Sequence, residues 1–155
     1  MTTFPTLSPI IAGCWRMDSW QQTTEQRLSW IEQCLDMGIT SFDHADIYGG
    51  YTVQAMFGQS LALQPSLRQK MQLISKAGIC LLSSKFPQRY IKHYDSSAQL
   101  LIASAEQSLR ELGTDYLDVL LIHRPDPLSD WDEIAQAFET LRSAGKYAAL
   151  AYRNF

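Results

Sequence analysis

The sequence predicts an α/β fold in which parallel strands alternate with helices. Three observations predict it. Apolar stretches of strand length alternate with amphipathic stretches of helix length along the chain. Three of the strand-like stretches, Ser41 to Asp43, Leu73 to Lys76 and Leu117 to His123, end in a charged or titratable residue. In a parallel sheet all carboxyl ends lie on one rim, so these residues are expected to meet there. No G-x-G-x-x-G follows the first strand, which argues against a doubly wound dinucleotide fold.

Taken in order, Ile10 to Gly13 reads as a first strand, with Cys14, Trp15 and Arg16 after it. Thr23-x-x-Gln26 is a capping box, and Leu28, Ile31 and Leu35 follow at helical spacing up to Gly38. The strand Ser41–Asp43 comes next and opens into a loop bearing His44, Asp46 and Tyr48. Gly49 and Gly50 let the backbone turn, and Thr52 is expected to cap a second helix whose face is Val53, Met56, Phe57, Ser60 and Leu61. Met71 to Lys76 is a third strand. Residues 77–96 show no periodicity and read as one long basic loop, leaving the Lys76 rim and placed to cover a substrate. Ser96-x-x-Gln99 resembles a second capping box, and Leu101, Ala105, Leu109 and Leu112 line a third helix ending at Gly113. Leu117 to His123 is a fourth strand, stopped by Pro125 and Pro127. Asp130 is expected to cap a fourth helix with Trp131, Ile134, Phe138 and Leu141 inward, and Ala148 to Ala151 starts a fifth strand. Four βα units and a fifth strand are just over half of an eight-stranded barrel of about 250 residues.

With 155 residues the chain suits one domain. At 46% hydrophobic and 19% charged residues it has the means for a packed core, which excludes intrinsic disorder. A net charge of −3 argues against nucleic acid or an acidic membrane surface as partner. No Lys or Arg precedes Arg16, so the start lacks the basic region of a secretory signal, and no apolar run nears the roughly 20 residues of a membrane span. Cys14, Cys34 and Cys80 are odd in number and widely spaced, as expected of free thiols in a reducing cytoplasm.

The motifs carry more. Asp43-x4-Tyr48 after Gly38-Ile39-Thr40-x-Phe42, then Ser75-Lys76 ending a strand, then Tyr116-Leu117-Asp118-x-x-x-Ile122-His123-x-Pro125, together resemble the aldo-keto reductase family. The resemblance covers nearly the whole chain and about the first half of a family member. It implies a partial (β/α)8 TIM barrel and reduction of an aldehyde or ketone by a nicotinamide nucleotide, NADPH by family habit. By that resemblance Tyr48 is the proton donor, Lys76 and Asp43 its tuning pair, and His123 the residue that orients the carbonyl. Trp15, Asp43 and Asn154 fall on the cofactor side. The family's fifth strand ends in Gly-x-Ser-Asn; here it reads Ala151-Tyr152-Arg153-Asn154, with an arginine in the serine position.

The chemistry needs these residue types. Hydride delivery leaves negative charge on the carbonyl oxygen, which must be stabilised and protonated. A free phenol ionises near about 10, and a neighbouring ammonium makes it a better acid. Each residue also has a structural reading: Asp43 as a turn cap, Tyr48 as one of seven ordinary tyrosines, Lys76 as a solvated strand end, His123 as a local hydrogen-bonder. Their convergence on one rim favours the functional one. A metal site from Asp43, His44 and Asp46 is not expected, because alternate strand residues face opposite ways; His44 and His93 are read as structural. A third, weaker reading is a metal-dependent hydrolase built on His123 and the acids. The half-length match sets a further alternative beside the enzyme, a truncated and inactive member that serves as an interaction module or remnant. Open sheet edges and uncovered inward-facing apolar side chains would then favour a homo-oligomer.

Overall fold

The computed structural model describes residues 4–124 and 126–152, so Pro125 and Asn154 lie outside the described residues. The elements run β1 (Ile11–Gly13), α1 (Thr24–Asp36), β2 (Ser41–Asp43), α2 (Val53–Ala62), β3 (Gln72–Ala77), β4 (Ile79–Cys80), β5 (His93–Tyr94), α3 (Ala98–Leu112), β6 (Leu117–Ile122), α4 (Trp131–Ser143) and β7 (Tyr147–Tyr152). Five of the strands form one parallel sheet in the order β1-β2-β3-β6-β7. Spatial order follows chain order without reversal, which is how a barrel is wound; a doubly wound sheet reverses at a central switch point. The expected α/β partial barrel is therefore what forms.

Local signals account for most element boundaries. Thr23 Oγ1 accepts from Gln26 N at 3.2 Å while Gln26 Oε1 accepts from Thr23 N at 2.9 Å, the reciprocal box that starts α1. Asp130 Oδ1 accepts from Asp132 N and Glu133 N and starts α4 in the same way.

Several expectations need correction. Thr52 precedes α2, but its hydroxyl donates back to the Gly49 carbonyl at 2.7 Å and makes no cap bond. The cap of α3 is Ser97, whose Oγ accepts from Leu100 N; Ser96 pairs with Ser129 instead. Trp131 opens α4 on its outer side and is 60% exposed, while Ile134, Phe138 and Leu141 are buried as expected. Segment 77–96 is not a single loop: β4 and β5 pair as an antiparallel ribbon, Ile79 against Tyr94 and Cys80 against His93.

The main core lies between sheet and helices, where Phe42, Leu73 and Leu120 meet Ile31, Phe57, Leu101 and Phe138. A run of edge-on rings, Trp20 to Trp30 to Phe42 at 4.9 and 5.8 Å, ties α1 to β2. On the other face the inward apolar side chains are expected to stay uncovered, yet Ile74, Val119 and Ala149 are buried. Leu7 and Leu121 pack against them, and the segment carrying Leu7 is held at the foot of β2 by Ser8, whose Oγ accepts from Thr40 N and Ser41 N.

α2 and α3 approach each other closely at Gly58. A Cβ on Gly58 would lie 1.9 Å from the Glu111 carbonyl oxygen, a backbone atom that cannot swing aside. Gly58→Ala is expected to destabilise the chain by roughly 2–3 kcal/mol in urea unfolding, although alanine is the better helix former. A neutral or stabilising result would show that the two helices do not approach this closely.

Candidate active site

Two backbone bonds carry the chain past the end of β2. His44 N donates to the Ile74 carbonyl and Asp46 N to the Lys76 carbonyl, so the loop runs along β3. Tyr48 then turns back, its N bonded to the Ala45 carbonyl, and its own carbonyl accepts from Thr52 N and Val53 N at the start of α2. The tyrosine is thus fixed on both sides.

This frame brings three of the expected residues into one hydrogen-bonded group. The ammonium of Lys76, only 2% exposed, donates to Asp43 Oδ1 at 2.6 Å, to the His44 carbonyl at 2.7 Å and to the Tyr48 hydroxyl at 3.0 Å. An ammonium has three protons to donate, and these three acceptors are among those it meets. The Tyr48 hydroxyl in turn donates to Asp43 Oδ2 at 3.1 Å. His123, just past β6, stands edge-on to Tyr48 with ring centroids 6.2 Å apart. Its N donates to the Ala77 carbonyl, which sets it at the same carboxyl rim.

Trp15 shares the rim, because Cys14 N donates to the Asp43 carbonyl at 3.0 Å. Its ring is 61% exposed, with the Arg16 guanidinium 5.0 Å from the centroid. Lys85 and Arg89 of the basic segment are engaged sideways. Arg89 donates to the Tyr51 hydroxyl at 2.8 Å, Lys85 donates to the Tyr51 carbonyl, and Phe86 packs on the Tyr51 ring.

Three further residues contribute: His44, read from the sequence as structural, Asp46, weighed there only as a metal ligand, and Tyr51, which sequence reasoning passed over. His44 is fully buried and serves through its carbonyl; burial, with the Lys76 ammonium adding to it, pushes the imidazole down to about 3. The ring therefore stays neutral beside Lys76. Asp46 accepts from the Ser104 hydroxyl of α3 at 2.5 Å. Tyr51 has φ of 73° directly after two glycines of positive φ, a conformation rare for a side-chain-bearing residue. Only the dipeptide Gly49-Gly50 signalled that turn.

The chain belongs to the aldo/keto reductase family, whose model matches residues 9–155. It is 49% identical over 148 residues to the oxidoreductase YcsN of Bacillus subtilis, spanning 96% of this chain and 49% of that protein. It is 43% identical to a 6-dehydroglucose reductase of Agrobacterium fabrum over 96% of this chain and 50% of that one. Among solved structures, a glycerol dehydrogenase from Gluconobacter oxydans superposes with a TM-score of 0.78 at 27% identity, over 99% of this chain and 47% of the other. The chain thus spans about half the length of these relatives.

Burial raises the Asp46 carboxyl from 3.8 to about 7, with Ser104, the Ile47 backbone and Arg89 pulling the other way. A carboxyl raised by folding contributes stability that is complete below the unfolded value and is lost as pH rises through the folded one. Asp46→Asn removes that loss. The variant is expected to gain on the order of 1–3 kcal/mol relative to the parent between pH 4 and pH 8, read from urea midpoints. A difference that does not change with pH would contradict the burial of this carboxylate.

Proposed function

We propose that the rim cluster is the carbonyl-reducing end of an NAD(P)H-dependent reductase site. One observation supports this reading above others: the buried Lys76 ammonium lies 3.0 Å from the Tyr48 hydroxyl, inside a group anchored by Asp43. Tyr48 gives its proton to the carbonyl oxygen, and Lys76 stabilises the phenolate left behind. Asp43 keeps Lys76 charged and in place. The phenol proton points at Asp43 Oδ2 at rest, so the hydroxyl must turn toward the substrate before it donates. His123, beside the Tyr48 ring, donates to the same oxygen and orients it.

The nicotinamide, NADPH in the first instance, supplies the hydride when bound. Two observations support its reacting end at this rim: the Trp15 ring is exposed, and Cys14, the residue before it, donates through its N to the Asp43 carbonyl. Asn154 belongs to the same proposed set and lies outside the described residues. The substrate is a small aldehyde or ketone; the relatives named for 6-dehydroglucose make a sugar-derived carbonyl the first to try.

The sheet order supports a second reading. Among the described residues β1 and β7 each have a neighbour on one side only, so the sheet offers two open edges to a second copy or another chain. In that reading the chain is an interaction module without turnover.

The two readings separate in one experiment. NADPH consumption with the carbonyl substrate is expected from the parent chain and is expected to fall at least about 100-fold in Tyr48→Phe, with an unchanged urea midpoint. Absence of turnover in the parent, with a stable oligomer in size-exclusion chromatography, would favour the module.

A further inference from the structure

Cys80, His93 and Asp95 lie outside the rim cluster and the reductase reading leaves them unused. The ribbon brings them together: Cys80 and His93 are direct cross-strand partners, and Asp95 follows His93 by two residues on the same edge. The bond from Asp95 N to the Gly78 carbonyl continues the ladder one step beyond β5. Partners opposite each other have Cβ atoms about 4.5–5.5 Å apart, and diagonal neighbours remain within side-chain reach. In this structure one ligand-type atom from each of the three residues lies within 4.8 Å of the other two, and among the described residues no other such group of three occurs.

The surroundings favour metal ligation in two ways. The His93 Nδ1 is 3.0 Å from the Ile91 carbonyl, which only accepts, so the neutral ring keeps its proton on Nδ1 and leaves the Nε2 lone pair open. Asp95 Oδ1 accepts from Ser97 N at 2.9 Å, which aligns the carboxylate and leaves its second oxygen available. Thiolate, imidazole and carboxylate together suit a borderline-soft divalent ion in a tetrahedral site. Ligand atoms around such an ion stand roughly 3.5 Å apart, from bond lengths of about 2.0–2.3 Å. The three atoms lie within 4.8 Å of one another, so the site has to close by about 1 Å at most, and His93 is exposed enough to rotate toward the other two.

We propose that Cys80, His93 and Asp95 bind one Zn2+-class ion, with solvent in the fourth position. The ion staples the β4–β5 ribbon. Leu81, next to Cys80, donates to the Tyr51 hydroxyl at 2.8 Å, so the staple also steadies the segment that grips Tyr51. Without metal the Cys80 thiol keeps its proton, since burial raises it, and binding releases that proton.

Co2+ tests this directly, because a thiolate ligand gives an intense near-ultraviolet charge-transfer band. The chelator-treated chain is expected to develop the band with a one-to-one end point, and Zn2+ is expected to abolish it by displacement. Cys80→Ser should remove the band. His93→Gln and Asp95→Asn should each weaken Zn2+ at least about tenfold in competition titrations. The asparagine still accepts from Ser97 N, and residue 93 is at the surface, so both variants are expected to keep the parental urea midpoint. No band in the parent would overturn the proposal. A band that survives in Cys80→Ser, placing the ion at Cys14 or Cys34, would do so as well, as would unchanged affinity in His93→Gln.

Discussion

A buried ammonium has to be neutralised, and the geometry of this molecule follows from how that is done. Lys76 is the penultimate residue of a central strand, and its side chain is buried. An unpaired charge there would cost several kcal/mol. Asp43 removes that cost at 2.6 Å, and the His44 carbonyl and Tyr48 hydroxyl take the remaining protons. Asp43 reaches Lys76 because β2 and β3 are adjacent and parallel. His44 reaches it because the loop runs alongside β3 for two more bonds. Remove the charge and Tyr48 keeps its backbone anchors but loses the ammonium beside its hydroxyl.

The loop after Tyr48 adds a second constraint. Gly49, Gly50 and Tyr51 all have positive φ, and the third of these is strained for a side-chain-bearing residue. Arg89, Lys85 and the Leu81 amide all bond to Tyr51, and these bonds offset the strain. The basic segment therefore acts on the site through the backbone next to Tyr48. Its cations hold the turn, and Tyr90 and Ile91 are left facing solvent.

Much of this was legible in the sequence where the cause is local. The Thr23–Gln26 box needs only its own four residues, and the strand-end positions of Asp43, Lys76 and His123 need only the rule that parallel strands share a rim. What escaped was decided at long range. By local rules Ser96, with Gln99 three residues on, is the better cap; the choice falls to Ser97 because Ser96 is drawn to Ser129 and Glu133 takes the Ala98 amide. The β4–β5 ribbon has strands of two residues, too short to show alternation, and is made by pairing across a loop. Trp131 lies on the apolar stripe of α4, but it occupies the first helical position, before the helix meets the sheet. The neutrality of His44 depends on total burial, which no spacing encodes.

The family assignment rests on the whole chain, whereas the chemical account rests on one contact, between Lys76 and Tyr48. Titration of the tyrosines labelled with 13C at the ring carbon that bears the hydroxyl tests that contact, with the Tyr48 signal assigned as the one missing from Tyr48→Phe. If the ammonium stabilises the phenolate, Lys76→Met moves the Tyr48 titration to higher pH and leaves the other signals in place. A Tyr48 signal that titrates at the same pH with and without Lys76 would contradict the account.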